Sequence, residues 1–173
     1  MYSDNDNFRI HGVYVDNNII SGGINIRSGK ISIIEDNEII YKIDNGCEYK
    51  GKIGINGQYG FGSFTYKDGA KYEGNFTKGL ANKEGTYSFG DISYEGNFSD
   101  GLFDGFGKYK CNSLEYKGEF KCGLPDGRGI YISKDGWKYE GNFTKGVFNG
   151  EGVVIDINGN TTKGLWDEGR RVM

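Results

Sequence analysis

One string recurs along this chain at a nearly fixed interval: Tyr, any residue, Gly, any residue, then Phe or Ile. It begins at Tyr49, Tyr72, Tyr94, Tyr116 and Tyr139, and a sixth copy from Thr162 reads Thr-Lys-Gly-Leu-Trp. The spacings are 23, 22, 22, 23 and 23 residues. A period of this size means that each unit is one supersecondary element stacked on its neighbours. Inside the string the pattern alternates. Tyr72, Gly74 and Phe76 fall on one face, Glu73 and Asn75 on the other. Side chains alternate in this way along a strand. A helix is excluded, since each mid-helix glycine costs about 1 kcal/mol.

A second string, Gly-x-Gly-x-(Phe/Tyr/Val), starts eleven residues after each of the five tyrosines, with Lys83 in place of the first glycine in one copy. A further glycine falls seven residues after the start of most copies, at Gly79, Gly101, Gly123, Gly146 and Gly169, with Asn56 in the first. The two unit lengths follow from two hairpin loops. Gly90-Asp91 and Asn112-Ser113 are two-residue loops that set Tyr87 opposite Tyr94 and Tyr109 opposite Tyr116. Lys67-Asp68-Gly69 and Lys134-Asp135-Gly136 are three-residue loops with Gly last, a type I turn plus a glycine bulge. They set Phe64 opposite Tyr72 and Tyr131 opposite Tyr139. The extra residue sits in the loop because a one-residue slip in the ladder would invert the faces. Gly62 then falls opposite Gly74, and aromatic rings can lie over the bare backbone.

These residues resemble the MORN (membrane occupation and recognition nexus) repeat, whose unit looks like YxGxFxxGxxxGxGxxxxxDG. The resemblance runs from about Cys47 to Gly169. The departures are Ile53 for the aromatic, Lys83 for a glycine and Thr162 for the tyrosine. It implies an all-β fold, an elongated single antiparallel sheet of stacked β-hairpins. It also implies a platform for protein assembly, often within larger proteins or cytoskeletal structures.

Residues 1–46 lack the clean repeat. Strand-like runs at Gly12–Val15, Ile19–Ile26, Lys30–Ile34 and Glu38–Ile43 alternate with turn signals. Ile20–Ile24 reads as a degenerate copy of the first string. An irregular β-meander that caps the sheet is expected here, as terminal repeats are usually atypical. The expected organisation is a cap over 1–46, about six repeat units over 47–169, and a tail over 170–173.

Composition narrows the function classes. Gly contributes 31 residues, Pro one, and aromatics are 15% of the chain. Collagen needs a Gly-X-Y period that is missing, and the aromatic content argues against a disordered chain. A net charge of −3 without basic clusters argues against nucleic acid. No apolar run reaches membrane-span length, and the polar N-terminus does not read as a signal peptide. Cys47, Cys111 and Cys122 are odd in number and far apart, which points to a reducing, intracellular setting. His11 is the only histidine. No catalytic, metal or cofactor residues are therefore assigned. The Gly-x-Gly strings recur five times with no helix following, so they read as sheet glycines and not as phosphate loops.

Two surfaces remain. One is the aromatic ladder, with Tyr49, Tyr72, Tyr94, Tyr116 and Tyr139 in one row and Phe76, Phe98, Phe120, Phe143 and Trp166 in another. Trp137, Tyr109 and Tyr116 read as core or semi-core. The other is the opposite face, which turns apolar in the second strands near the C-terminus, at Ile130, Ile132, Val153 and Ile155, with Leu165 beyond. An apolar patch on a nominally solvated face marks a contact, either with the chain itself, with a partner protein or with a second copy in a homodimer. Glu73, Glu95 and Glu140 recur once per unit and read as solvated. Cys111 and Cys122 read as buried or half-buried thiols. The expected function is a non-catalytic protein-interaction or scaffold module. The alternatives are binding of phosphoinositide headgroups at a membrane surface, or a structural part of a cytoskeletal assembly or virion.

Overall fold

The computed structural model describes residues 29–33, 38–43, 46–53, 59–77 and 79–172. Expectations for Gly12–Val15, Ile19–Ile26, His11 and Asn56 fall outside them. The described residues form one sheet of fourteen strands, each antiparallel to the next and in chain order. The strands are β1 (Gly29–Ile33), β2 (Glu38–Ile43), β3 (Glu48–Ile53), β4 (Tyr59–Thr65), β5 (Lys71–Thr77), β6 (Leu80–Phe89) and β7 (Ile92–Ser99). They continue as β8 (Leu102–Lys110), β9 (Leu114–Lys121), β10 (Leu124–Ser133), β11 (Lys138–Thr144), β12 (Val147–Ile155), β13 (Thr161–Asp167) and β14 (Arg170–Arg171). β1 and β2 extend the repeat sheet through pairing of β2 with β3. At the other end Arg170 and Arg171 pair with Asp167 and Trp166.

The expected registers hold. Phe64 faces Tyr72, Tyr87 faces Tyr94, Tyr109 faces Tyr116 and Tyr131 faces Tyr139. Each three-residue loop is closed by a pair of residues such as Tyr66 and Ala70, whose backbone bond is 2.8 Å, with Gly69 at φ 90°. The connection within a unit is tighter. Asp100-Gly101, Cys122-Gly123, Lys145-Gly146 and Glu168-Gly169 carry positive φ at both positions. This is the two-residue turn whose twist matches the flanking strands.

A single sheet has no second layer to bury it, yet Tyr139 is 0% and Tyr94 1% exposed. The reason is a rung of glycines. Gly62, Gly74, Gly85, Gly96, Gly107, Gly118 and Gly129 face one another on consecutive strands. A Cβ built on Gly85 would stand 2.6 Å from the Tyr72 hydroxyl, and one on Gly74 2.5 Å from it. Each tyrosine therefore lies flat across the glycine of its own strand and that of the next. Any side chain there would lift the ring off the sheet.

Between the two strands of each unit the ladder is interrupted beside the facing glycines, whereas between units it runs on regularly. Gly74 faces Gly85, but Phe76 faces Ala81, so two residues of β5 span four of β6. The same bulge separates Gly96 from Phe98 and Gly141 from Phe143. A bulge leaves backbone groups without ladder partners. The tyrosine hydroxyl supplies a donor there: Tyr72 to the Asn75 carbonyl at 2.7 Å, Tyr94 to Asn97 at 2.8 Å, Tyr116 to Glu119 at 2.9 Å.

The two rows expected of the aromatics are in fact one column. Phe98 stands edge-on between Tyr72 and Tyr94, at 4.9 and 5.1 Å. Phe120 does the same between Tyr94 and Tyr116, and Phe143 between Tyr116 and Tyr139. Phe76 joins Tyr49 to Tyr72, and Trp166 closes the column on Tyr139. Each phenylalanine thus locks its own unit to the previous one. Edge-to-face pairs add about 0.5–1.5 kcal/mol each beyond burial.

Candidate functional site

The tyrosines of the first strands are consumed by the core. Those of the second strands, Tyr87, Tyr109 and Tyr131, stay half-buried on the same face. They leave a surface that the column does not fill. An open pocket of about 520 Å³ lies on it, bounded by Phe103, Tyr116, Pro125, Tyr131, Trp137 and Phe148 among others. That volume is in the range of ligand sites. No charged residue lines it.

One position per unit shapes this face. It is the second residue of β6, β8, β10 and β12, occupied by Ala81, Phe103, Pro125 and Phe148. Phe103 stacks on Tyr94 with centroids 3.7 Å apart and planes at 8°, and Phe148 stacks on Tyr139 at 3.9 Å and 16°. The aromatic rings against Tyr116, Phe120 and Phe143, stand edge-on, and Tyr116 is as buried as the other two tyrosines. The pocket opens over Pro125, between the two phenylalanines. Trp137, from the loop before β11, stands 5.1 Å from Tyr131 and forms the far wall.

Tyr109 and Trp137, read from sequence as core or semi-core, are half-buried and line this pocket, while Tyr116 is core and forms its floor. Phe103, Pro125 and Phe148 were not singled out by the sequence pattern. The signal that finds them is the difference between units at one aligned position, not the shared motif.

Ile130, Ile132, Val153, Ile155 and Leu165 are on the opposite face. Ile130 is 36% exposed and the other four are half-buried. They do not form a continuous patch. Ile130 lies between Lys117 and Glu140, Val153 between Glu140 and Lys163, and Ile132 between Glu115 and Lys138. Reading second strands alone hides the charged first strands between them. The lysine stems beside them can cover aliphatic surface while the ammonium stays in water. Glu73, Glu95 and Glu140 are exposed on this face. Ion pairs here include Lys71 with Glu73 at 2.8 Å and Lys108 with Glu115 at 3.0 Å. Exposed pairs of this kind contribute about 0–1 kcal/mol.

Cys111 and Cys122 form no disulfide among the described residues. Cys47 and Cys111 are half-buried, but Cys122 is exposed, because its place in a two-residue turn points it away from the sheet. The hydroxyl of Ser113, 3.2 Å away, draws the Cys111 thiol below its ordinary pKa. Burial pushes the phenols of Tyr72 and Tyr94 up to about 12 and raises that of Tyr116 further, with Glu119 and Asp126 adding to the last. Such groups hold their protons and are not poised for acid–base work. No cluster of His, Cys, Asp or Glu able to hold a metal occurs among the described residues. Among the described residues no helix is long and apolar enough to cross a membrane.

The family model of the MORN repeat matches residues 72–91, 94–113, 116–138 and 139–161, four consecutive units. No curated protein matches the chain in sequence. Among solved structures it is similar to the SAS-4 (dCPAP) TCP domain of Drosophila melanogaster, solved in complex with a proline-rich motif of Ana2 (dSTIL). The two are 10% identical, with a TM-score of 0.40, over 86% of this chain and 97% of that one.

Proposed function

The chain belongs to the MORN repeat family, and on that premise we propose that it is a non-catalytic module that holds a segment of a partner protein on its tyrosine face. MORN repeats are in general interaction or membrane-associated modules. The observation that carries the choice between the two is the uncharged aromatic pocket bounded by Tyr131, Trp137 and Phe148. Aromatic side chains around a concave apolar surface are the composition of interface anchor sites. A headgroup site needs clustered Lys and Arg. The lysines of the opposite face are interleaved with acids and form no large cluster: Lys108 faces Glu95 on one side and Lys117 on the other, with Glu115 and Glu119 two residues either way from Lys117 along β9. An intracellular setting is part of the same proposal, on the grounds of an odd number of cysteines, Cys47, Cys111 and Cys122, far apart in the sequence.

The test compares the full chain with Trp137→Asp in affinity purification from the cells that make it, alongside co-sedimentation with vesicles containing anionic lipid at low salt. The expected result is a partner held by the native chain and lost by the variant, with neither protein pelleting with vesicles. Equal recovery by both proteins would overturn the tyrosine-face site. Pelleting with vesicles in the absence of any protein partner would replace it with the lipid reading.

A further inference from the structure

The structure assigns Cys111 as a thiol–disulfide exchange site that accepts a small disulfide carrying carboxylates and amides. The site lies at the loop end of the sheet and goes beyond the docking of a partner on the tyrosine face. Cys111, half-buried, follows β8 and closes the loop Asn112-Ser113 through its N–H, 2.9 Å from the Leu114 carbonyl. The neighbouring loops hold that loop from both sides. Asp91 accepts the Asn112 N–H at 2.9 Å, and the Ser113 carbonyl accepts the Lys134 N–H at 2.9 Å. The Ser113 hydroxyl is thereby fixed 3.2 Å from the Cys111 sulfur. Once the thiol is ionised only the hydroxyl can donate, so this contact favours the thiolate, the form that attacks a disulfide. It draws the thiol below its ordinary pKa.

A cavity of about 240 Å³ opens beside the loop, lined by Lys110, Cys111, Glu115, Ser133 and Lys134 among others. Its charge is unbalanced. Glu115 faces Lys110 across the register but is paired with Lys108 at 3.0 Å, and Asp91 is occupied by the loop. Neither Lys110 nor Lys134 is in an ion pair among the described residues. Two ammonium groups without counter-ions complement carboxylates. The wall also holds an orphaned polar group. Ser133 is 9% exposed, and its hydroxyl has no hydrogen-bond partner among the described residues. Leaving a buried hydroxyl unpaired is unfavourable, and the amides of an entering disulfide carry acceptors for it. Cys122 is more exposed but lines neither this cavity nor the aromatic pocket. In the exchange the Cys111 thiolate attacks one sulfur of the disulfide. The new S–S bond forms as the old one breaks, and the other half leaves as a thiolate that takes up the proton Cys111 lost. Cys111 is oxidised and the leaving half reduced, so no further oxidant is needed.

The test incubates the full chain at neutral pH with excess oxidised glutathione, or with cystamine, a disulfide whose ends are ammonium groups. Samples quenched in acid are digested, and mass spectrometry reads the adduct on each cysteine. Rates are divided by those of a capped Gly-Cys-Gly peptide with the same reagent, which removes the intrinsic difference between reagents. Cys111 should take up glutathione roughly three- to tenfold faster than Cys122, despite being less exposed. Its normalised rate with glutathione should exceed that with cystamine, and the gap should narrow in high salt. Lys110→Gln together with Lys134→Gln should abolish that preference, and Ser113→Ala should slow both reagents. Ser133→Ala should lower the equilibrium yield of the glutathione adduct about two- to tenfold while leaving alkylation of Cys111 by iodoacetamide unchanged, a split that a general loosening of the loop does not give. Cys122 reacting as fast as Cys111, a normalised cystamine rate equal to or above that of glutathione, or an unchanged adduct yield in Ser133→Ala would overturn the inference.

Discussion

At the scale of single residues, the tyrosine of each unit does three things at once. It lies over two glycines, stacks edge-on between two phenylalanines and donates to a carbonyl exposed by the bulge. The last role separates Tyr from Phe. Tyr94→Phe keeps the ring and removes the 2.8 Å bond to the Asn97 carbonyl. An unsatisfied buried acceptor costs about 1–3 kcal/mol. Urea unfolding of Tyr94→Phe should show a loss of that size with an unchanged m-value, and an unchanged midpoint would contradict the role of the bond. Burial also sets an alkaline limit. The Tyr72 and Tyr94 phenols are pushed up to about 12 in the folded chain, whereas an unfolded chain ionises near its ordinary value of about 10. The folded state therefore binds more protons between these values, and stability falls as pH rises through that window. Stability should be flat below pH about 10 and decline toward 12. Phenolate absorbance should appear together with loss of sheet signal. Ionisation of the column tyrosines before unfolding would contradict this.

At the scale of elements, the hairpin loops were legible and the bulges were not. A loop of two residues at Gly90-Asp91 and of three at Lys134-Asp135-Gly136 leaves one register that keeps the tyrosines on one face. Loop length and alternation together thus determine the pairing. The bulge between Gly74 and Phe76 leaves no such trace, because its extra residues on β6, Asn82 to Glu84, read as ordinary strand. The single aromatic column was hidden for a related reason. Period-two alternation tells which face a ring is on, but not how far it leans along the sheet toward the neighbouring unit. The candidate site was legible only in part. Tyr109, Tyr116 and Trp137 carry the pattern, whereas the pocket depends on Pro125 breaking it. On the opposite face the apolar residues were found but their charged neighbours on β9, β11 and β13 were not. The turns supply the prediction at this scale. Cys122 holds φ 49° at the first position of a two-residue turn, where Asn is far better tolerated. Cys122→Asn should raise stability by about 0.5–1 kcal/mol, measured as a higher urea midpoint. A lower midpoint would mean that the cysteine side chain has a role the turn geometry does not reveal.

At the scale of the whole molecule, the described residues make one layer, with strands that meet only their sequence neighbours. Stability in such an array is close to a sum of units and nearest-neighbour contacts. Phe98 is a mid-array link, touching Tyr72 on one side and Tyr94 and Phe103 on the other. Phe98→Ala should cost about 3–5 kcal/mol, and it should do so by uncoupling the array. Amide hydrogen exchange should then split into two blocks, β3–β6 and β8–β13, that open independently. A uniform loss of protection across both blocks would instead indicate a single cooperative core.

The same one-layer design leaves each face open to water along its length, and the account turns on which of them is occupied. A photo-reactive phenylalanine analogue placed at Tyr131 on the tyrosine face, and separately at Lys108 on the opposite face, reads this directly in the cells that make the protein. Cross-linking from position 131 to one defined segment of a partner protein, with none from position 108, is the predicted result. Cross-links formed only from position 108, or from position 131 only to lipid, would contradict it.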